Sequence, residues 1–356
     1  MHTQSKYRLL VVRLGAMGDI LHALPAVTAL RQTHPAWVID WVIEPAWCAL
    51  LTANCDPATP RGPAQPVIDH LHMASTKAWR HHPLSPDTRH EISALRRILR
   101  ESHYDAVLDL QGAVRSAAVA RMARTRRRIG ESHPREWFAR WCFTERIATR
   151  GAHVIEQDLE LAAAVAGDDL SPVQPWLPVD PSAEAWCDQV LPQSASQPAV
   201  LLNPGAGWGA KRWPVERYAA VAAAFAGRGF RVLLNAGPGE EPLAEAIESL
   251  SAGAAQPLNC SLAQLIALTR RVALMIAGDT GPLHLACALG RPVVGIYGPT
   301  DPARNGPFGT RSRVLRSPDS RRDHSRRSEP EAGLLTITPE AVLQAADELL
   351  AGETVA

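Results

Sequence analysis

Three glycine-containing segments combine a permissive backbone with side chains that could do chemistry. The first, Leu14–Asp19, reads LGAMGD and ends on a carboxylate. Its two glycines let the backbone approach a ligand closely, and Asp19 could act as a general base. A carboxylate at a helix start also caps free backbone N–H groups, so a structural role for Asp19 stays open. The spacing is not a dinucleotide-binding fingerprint, because GxGxxG is absent.

The second segment, Asn203–Pro214, reads NPGAGWGAKRWP and has the composition of an anion-binding loop. Its glycines free the backbone to wrap an anion, while Lys211 and Arg212 supply positive charge beside it. Pro214 suits the first turn of a following helix. The segment lacks the Lys-Ser/Thr pair of a Walker loop. A flexible surface loop is the alternative interpretation.

The third segment, Gly278–His284, reads GDTGPLH and predicts an anion site at a helix start. Free N–H groups at Thr280, Gly281 and Leu283 would face a phosphate, helped by the positive end of the helix dipole. His284 lies one turn further and could donate to the same anion. A lone helical histidine is more often structural, but this one flanks a helix start suited to an anion.

Weaker signals accompany these segments. Either Glu240 or Glu241 could accept hydrogen bonds from ribose hydroxyls, although acids at helix starts are also common for dipole reasons. In the first half, basic residues recur near predicted strand and helix ends, and each alone is typical of a solvated charge. They are Lys77, Arg80, Arg115, Arg135 and His153.

Apolar runs of strand length alternate with helical patterns, which predicts parallel sheets covered by helices on both faces. The predicted strands are Tyr7–Val12, Trp37–Ile43, Ala106–Leu110, Ala199–Leu202, Phe230–Leu234, Val272–Ala277 and Pro292–Tyr297. The predicted helices are Ile20–Gln32, Val114–Ala123, His153–Ala166, Val215–Ala226, Glu240–Leu250, Leu262–Thr269, Leu283–Leu289 and Pro339–Leu350. All three glycine-containing segments follow a strand, where open parallel sheets bind ligands.

The remaining segments predict connections. Ser171–Ser182 carries four prolines and reads as a linker between two domains, which suits a chain of 356 residues. Arg311–Glu331 is rich in arginine and poor in apolar residues, so we expect a mobile loop there. The basic run of Arg124 and residues 126–128 predicts an exposed face.

Composition excludes several function classes. Lys and Arg total 37 and Asp and Glu total 36, a balance that argues against general nucleic-acid binding. Six scattered cysteines without a CxxC pair predict reduced thiols rather than a zinc site or a disulfide framework. No signal peptide or membrane span is recognisable, so a cytoplasmic location is expected, with contact to a membrane surface left possible.

Taken together, the motifs resemble glycosyltransferase family 9, the lipopolysaccharide heptosyltransferases. The ordered set MGD, LDLQG, NPGA, KRWP, GDTGPLHLA and YGPTDP carries this resemblance over nearly the whole chain. It implies an α/β protein of the GT-B fold, with two Rossmann-like domains whose parallel sheets face each other across a cleft. The implied parts are an acceptor domain at 1–175, a nucleotide-sugar domain at 183–335, and a C-terminal helix at 336–356 packing back toward the first domain.

The resemblance also implies an inverting transfer from an ADP-heptose donor to Kdo of the lipopolysaccharide inner core, with no metal ion and no cofactor. On that interpretation Asp19 deprotonates the acceptor hydroxyl. Lys211, the helix start at Thr280 and Gly281, and His284 would stabilise the leaving diphosphate. Asp279 would order the turn, and Glu240 or Glu241 would hold the ribose.

The acceptor is implied less directly. The pieces DLQG, Arg115, Arg135 and His153 look like heptosyltransferase I, which adds the first heptose, and Lys77 and Arg80 fall where that enzyme holds the anionic sugar acid. The KRWP loop is closer to heptosyltransferase II, which adds the second heptose. Because the acceptor domain should set acceptor choice, we favour heptosyltransferase I.

Two other classes are weighed against transfer: a GT-B nucleotide-sugar epimerase, and a non-catalytic nucleotide-sugar binding protein. An epimerase needs acid and base groups around the donor sugar, and no second carboxylate or histidine accompanies Asp19 convincingly. A binding protein would not need Asp19. The expected partners are ADP-heptose and Kdo-lipid A, with no nucleic acid. We expect a monomer peripheral to the cytoplasmic face of the inner membrane, with the Arg311–Arg327 loop as one possible lipid contact.

Overall fold

The computed structural model describes residues 6–192, 197–322 and 327–351. These residues divide into two units, Met1–Asp180 and Pro181–Ala356. The boundary lies inside the proline-rich segment at 171–182. Prolines there restrict the backbone, and no helix or strand lies between Ala166 and Pro181.

The first unit is built on a six-stranded parallel sheet with the order β3-β2-β1-β4-β5-β6. Its strands are β1 Arg8–Val12, β2 Val38–Ile43, β3 His70–Met73, β4 Ala106–Asp109, β5 Arg127–Glu131 and β6 Glu145–Ile147. Its helices are α1 Met17–Thr33, α2 Thr76–His81, α3 Pro86–Glu101, α4 Val114–Met122 and α5 Val154–Ala166. Residues 9–12 of β1 are all buried, as expected for a central parallel strand covered on both faces.

The second unit repeats this plan with the strand order β12-β11-β10-β7-β8-β9. Its strands are β7 Ala199–Asn203, β8 Arg231–Asn235, β9 Ala255–Leu258, β10 Leu274–Gly278, β11 Val293–Tyr297 and β12 Ser312–Arg316. Its helices are α6 Pro181–Val190, α7 Val215–Gly227, α8 Glu241–Leu250, α9 Leu262–Thr269, α10 Gly281–Ala288, α11 Pro302–Asn305 and α12 Pro339–Ala351. The sheet's two central strands, β7 and β10, are buried along their whole length.

Each sheet contains one point at which the winding direction reverses. In the first unit β1 pairs with both β2 and β4, and in the second unit β7 pairs with both β8 and β10. At such a point the connections leave the two neighbouring strands toward opposite faces, which opens a crevice at their carboxyl ends. Ligands of open α/β sheets bind in that crevice.

The arginine-rich segment is more ordered than the sequence predicts. The expected mobile loop is wrong for residues 312–316, which form edge strand β12 paired to β11. Arg313 bonds Glu348 on α12 at 2.6 Å, so a helix distant in sequence supplies the partner. Residues 327–331 also join the unit, because Ala210 N donates to Arg327 O at 3.1 Å. Residues 323–326 lie outside the described part.

A further prediction, that the six cysteines are reduced thiols, is wrong for two of them. Cys48 and Cys55 form a disulfide, their Cα atoms 5.2 Å apart, because two short 3-10 helices fold the chain back between them. The basic run overlaps the start of β5, and Arg124 and Arg126 are exposed, as predicted. Arg127, with 39% of its side chain exposed, makes two hydrogen bonds to Glu145 on β6 at 2.8 and 3.0 Å. The other four cysteines, Cys142, Cys187, Cys260 and Cys287, are free thiols.

The last described helix, α12, belongs to the core of the second unit. It packs on α7, β11 and β12. It buries Val342, Ala345, Ala346 and Leu349 in the same apolar cluster as Phe225. That the C-terminal helix packs back toward the first domain stays a prediction. None of the described helices is long and apolar enough to cross a membrane.

Candidate functional site

The Leu14–Asp19 loop of the first unit lies at the reversal point between β1 and β4. Leu14 N donates to the side chain of Gln111 at 2.8 Å, which ties the loop to the turn after β4. Glu44 N donates to Leu14 O at 3.0 Å from the side of β2. A side chain at Gly15 would place its Cβ 2.7 Å from the Trp47 indole nitrogen, so only glycine fits there.

The Asp19 carboxylate has two contacts and remains partly exposed. One oxygen accepts a hydrogen bond from Ala16 N at 3.1 Å, and the other lies 3.4 Å from the Arg13 guanidinium. The Arg13 side chain is buried, whereas the Asp19 side chain is 37% exposed. Asp19 thus caps α1 and also presents a carboxylate to solvent, so both sequence interpretations are compatible with the geometry. A fixed carboxylate at a ligand crevice can accept a proton.

A second carboxylate organises the other side of the crevice. Asp109 ends β4 and accepts hydrogen bonds from Gln111 N at 2.8 Å, Gly112 N at 2.9 Å and the Ser116 hydroxyl at 3.1 Å. Burial raises the pKa of Asp109 to about 6 against the opposing effect of these bonds. Since Gln111 holds Leu14, Asp109 fixes the Asp19 loop indirectly.

Asp158 on α5 is a third, deeply buried acid. Its side-chain oxygen Oδ2 has no hydrogen-bond partner among the described residues. Burial raises the pKa of Asp158 to about 7; Arg13 lowers it, while the charges of Asp19 and Glu131 raise it further. Sequence reasoning missed both Asp158 and Arg13. The one feature of the sequence that could have revealed them is a charged residue within or directly beside an otherwise apolar run.

Four of the predicted acceptor-binding residues are exposed on the first unit. Lys77 and Arg80 lie on α2, which Glu44 anchors by accepting from Lys77 N at 3.1 Å and from the Thr76 hydroxyl. Arg115 lies in the first turn of α4, and Arg135 follows β5. Arg135 and Arg115 flank the Gly112 turn, because a Cβ at Gly112 would lie 3.1 Å from Arg135 N. Their role toward an acceptor stays a prediction.

His153, the fifth predicted acceptor residue, is buried at the start of α5. Its Nδ1 accepts a hydrogen bond from Ile155 N at 3.1 Å, so the side chain caps the helix. Its ring packs edge-to-face on His22 with the centroids 5.6 Å apart. The structure therefore gives His153 a helix-capping function, and acceptor binding by this residue remains untested.

In the second unit, Lys211, Asp279 and His284 form a charged cluster at the reversal point between β7 and β10. Lys211 Nζ lies 2.5 Å from one Asp279 oxygen, and His284 Nε2 lies 3.2 Å from the other. Burial alone would raise the pKa of Asp279, but His284 and Lys211 hold it well below its usual range. Asp279 is thus an anion that orients two groups able to donate to a phosphate.

The start of α10 adds backbone donors beside this cluster. Thr280 is the N-cap residue, and its own side chain makes no capping hydrogen bond. Asn203, at the end of β7, donates to the Thr280 hydroxyl at 3.5 Å and accepts from Asn235 Nδ2 at 2.6 Å. The side chains of Asn203 and Asn235 thereby link the carboxyl ends of β7 and β8 to the start of α10. The helix start, with Gly281 at its first position, remains available to an anion.

The two candidate glutamates differ sharply in position. Glu240 precedes α8, and its carboxylate accepts from Gly237 N at 2.9 Å. A Cβ at Gly205 would lie only 1.8 Å from a Glu240 oxygen, so the carboxylate presses against the backbone of the second glycine segment. Glu241 is exposed in the first turn of α8. Glu240 is therefore the better candidate for a nucleotide ligand.

Among the described residues, no group of three or more His, Cys, Asp or Glu side chains is arranged to hold a metal ion.

Comparison with known proteins shows the family to which the chain belongs. A family model described as glycosyltransferase family 9 (heptosyltransferase) matches residues 92–334. The chain is 29% identical over 315 residues to lipopolysaccharide heptosyltransferase 1 of Escherichia coli K12, covering 87% of this chain and 94% of that protein. It is 27% identical over 370 residues to lipooligosaccharide heptosyltransferase 2 of Haemophilus ducreyi, covering 97% and 99%.

A solved structure extends the likeness to three dimensions. The structure of E. coli heptosyltransferase WaaC with ADP-2-deoxy-2-fluoro heptose superposes with a TM-score of 0.76 at 28% identity, covering 96% of this chain and 99% of that one. The two Rossmann-like sheets described above are the same architecture, the GT-B fold. The chain belongs to glycosyltransferase family 9, the heptosyltransferases, and is a glycosyltransferase.

Proposed function

We propose that this glycosyltransferase moves heptose from ADP-L-glycero-β-D-manno-heptose to Kdo of the lipopolysaccharide inner core, with inversion and without a metal ion. The observation that carries the proposal is the Asp19 carboxylate, held by Arg13 and Ala16 at the crevice of the first unit. The relatives named heptosyltransferase 1 and the solved structure with an ADP-heptose analogue support the donor and the reaction class.

Asp19 is the general base of this scheme. It takes the proton of an acceptor hydroxyl, whose oxygen forms a bond to the anomeric carbon of the heptose. The bond from that carbon to the diphosphate oxygen breaks, and ADP leaves with the electron pair. Attack opposite to the leaving group inverts the anomeric centre. One positioned base contributes roughly 10²–10⁴-fold to such a step.

The second unit binds the donor in this scheme. Lys211, His284 and the backbone N–H groups of Gly281 and Leu283 stabilise the charge that develops on the leaving diphosphate. Asp279 orients Lys211 and His284 rather than touching the donor, and Glu240 accepts from the ribose hydroxyls. Preorganised donors of this kind cost no rearrangement when the charge appears.

The choice of acceptor rests on the basic residues of the first unit. Lys77, Arg80, Arg115 and Arg135 are exposed cations that would bind the carboxylate of Kdo. A heptosyltransferase II that adds the second heptose is the alternative, favoured by the KRWP sequence after Ala210 and by relatives of that name. Because the acceptor is a lipid, we also propose peripheral contact with the cytoplasmic face of the inner membrane.

The decisive test is a transfer assay with ADP-heptose and two acceptors, Kdo-lipid A and the same molecule already carrying one heptose, with EDTA present. Product from the first acceptor alone is the expected result. Product from the second alone would make the enzyme a heptosyltransferase II, and dependence on an added divalent cation would contradict the metal-independent mechanism.

The base is tested by Asp19→Asn, which can still accept the Ala16 hydrogen bond that caps α1. We expect turnover to fall by about 10²-fold or more while the affinity for ADP stays unchanged. Asp87→Asn, an exposed first-turn acid of α3, is the matched control. Turnover within a few-fold of the unmodified enzyme would exclude Asp19 as the base.

A further inference from the structure

A short 3-10 helix of the first unit, Trp137–Cys142, displays three large aromatic side chains. Trp137 is 52% exposed, Phe138 73% and Trp141 68%. Side chains of this size are normally well buried, and a contiguous exposed group of them marks an interaction site. We call these three residues, together with Arg140 and Arg146, the aromatic patch.

The segment that carries the aromatic patch is held in place by packing and hydrogen bonds. Ala139 and Phe143, which alternate with the exposed residues, are buried against Ala117 of α4. Glu136, just before the patch, accepts from Val114 N at 2.9 Å, and its own N–H donates to Gly112 O at 2.9 Å. The aromatic side chains are therefore displayed by packing and hydrogen bonds rather than left outside by a loose loop.

Positive charge lies on the aromatic rings themselves. The Arg140 guanidinium is 3.9 Å from the Trp137 ring centroid, and that of Arg146 is 5.7 Å from the Trp141 centroid. Within the described part of the chain, neither arginine forms an ion pair with a carboxylate. Apolar area and unneutralised charge thus share one surface.

We propose that the aromatic patch docks on the headgroup region of an anionic lipid bilayer. Tryptophan side chains concentrate at membrane–water interfaces, where the ring is apolar and its N–H remains hydrated. Arginine beside them adds attraction to anionic lipid, and the stacked geometry lets ring and charge reach the same depth. The proposal rests on the proposed function only in that a lipid-anchored acceptor gives such docking a purpose.

The position of the patch agrees with that purpose. Its base bonds directly to Gly112 and Val114, the turn that follows β4 and borders the crevice holding Asp19. Docking there would bring the candidate acceptor crevice to the bilayer surface. Arg115 and Arg135, the predicted Kdo-binding cations, flank the same turn.

Another membrane-binding surface and another partner for the aromatic patch both fit less well. In the described part of the arginine-rich segment before α12, Arg313 pairs with Glu348 and Arg322 with Asp301. Pairing of the aromatic patch with the same patch of a second copy would bring like-charged Arg140 and Arg146 together across a two-fold interface. The bilayer is the partner whose charge is complementary.

The test is sedimentation of the full chain with vesicles of phosphatidylcholine alone and of phosphatidylcholine mixed with phosphatidylglycerol in equal parts. We expect binding to the mixed vesicles, weakened by salt, and little to phosphatidylcholine alone. A variant with Trp137→Ser, Phe138→Ser and Trp141→Ser should bind about tenfold or more weakly. Arg140→Gln with Arg146→Gln should also lose about tenfold, by losing two charges. Leu250→Ser, an exposed apolar residue of α8, is the control and should bind normally.

Activity separates docking from damage to the fold. The patch variants should keep kcat/KM for a delipidated, water-soluble acceptor and lose it for an acceptor embedded in vesicles. Equal vesicle binding by the patch variants and the unmodified chain would overturn the proposal. So would a concentration-dependent dimer that the triple variant abolishes, because the patch would then be an interface between copies. Patch-dependent vesicle binding without transfer to either acceptor would leave the docking surface standing and remove the proposed reaction.

Discussion

Asp158 makes folding stability depend on pH in an unusual direction. Its pKa is about 7 in the folded protein because burial disfavours the charged form, whereas an unfolded Asp titrates near about 3.9. Between these values the folded state holds a proton that the unfolded chain has released. The free energy of unfolding therefore falls as the pH rises through this window. The charge of Arg13 lowers the pKa of Asp158, and the charges of Asp19 and Glu131 raise it.

Replacing Asp158 with Asn removes the titrating group while keeping its shape. We expect Asp158→Asn to raise the free energy of unfolding of the first unit by a few kcal/mol at about pH 8 and hardly at all at about pH 4, at about 1.4 kcal/mol per pKa unit. Urea unfolding followed across this range measures the difference, with exposed Asp169→Asn as the control. Parallel stability curves for the variant and the unmodified protein would contradict the buried, protonated state.

The adjacent residues Glu240 and Glu241, at the start of α8, allow a matched comparison. We expect Glu240→Gln to weaken ADP binding about tenfold, or about 1.4 kcal/mol, because its carboxylate faces the Gly205 backbone and would lose charge-assisted hydrogen bonds to the ribose. Glu241→Gln should leave the affinity within about twofold, since this side chain is exposed on α8. Calorimetric titration with ADP compares the two, and the reverse order of effects would exchange their roles.

Residue types and motif position were enough to predict Asp19, Lys211, Asp279 and His284 as neighbours of strand ends. They could not predict that Arg13 would sit beneath Asp19. Arg13 directly follows β1, and whether its guanidinium is buried or solvated depends on the packing around that strand end. Choosing Glu240 over Glu241 likewise required the approach of Gly205, which lies on another strand connection.

At the scale of elements, the central strands were predictable and the edge strands were not. β1, β4, β7 and β10 are short apolar runs, as strands buried on both faces must be. The five missed strands carry polar or charged residues. Four of them are sheet edges, which are only partly covered, and β5 lies beside the edge strand β6 and begins with two arginines. The five are β3 with HLHM, β5 with RRIGE, β6 with ERI, β9 with AQPL and β12 with SRVLR.

Helix α12 should contribute directly to the stability of the second unit. Leu349→Ala leaves a cavity in the apolar cluster shared with α7, at an expected cost of about 2–5 kcal/mol. Leu250→Ala, at an exposed position on α8, should change stability by less than about 0.5 kcal/mol. Denaturant unfolding with probes in each unit should show that only the second transition moves. Loss of stability in the first unit alone would instead place the helix's main support there.

At the scale of the whole molecule, the proposed function assigns donor binding to the second unit and proton transfer to the first. ADP should slow amide hydrogen exchange in the second unit around residues 203–211 and 278–284, because binding stabilises the folded form. These ranges contain the charged cluster of Lys211, Asp279 and His284. Exchange in the Leu14–Asp19 loop should change much less. Mass spectrometry of peptic fragments after exchange, compared with those of the Lys211→Ala variant, measures this. Protection by ADP confined to the first unit would contradict the assignment of the donor site.

The order of the elements along the chain also governs how the protein is made. All the strands and helices of the first unit precede Pro181, so this unit can complete its core while translation continues, as N-terminal domains generally do. The second unit cannot, because α12 fills a cluster that β7 and α7 began more than a hundred residues earlier. Until the ribosome releases α12, that cluster stays partly open to water. We therefore expect the second unit to expose apolar surface during synthesis until α12 has been added.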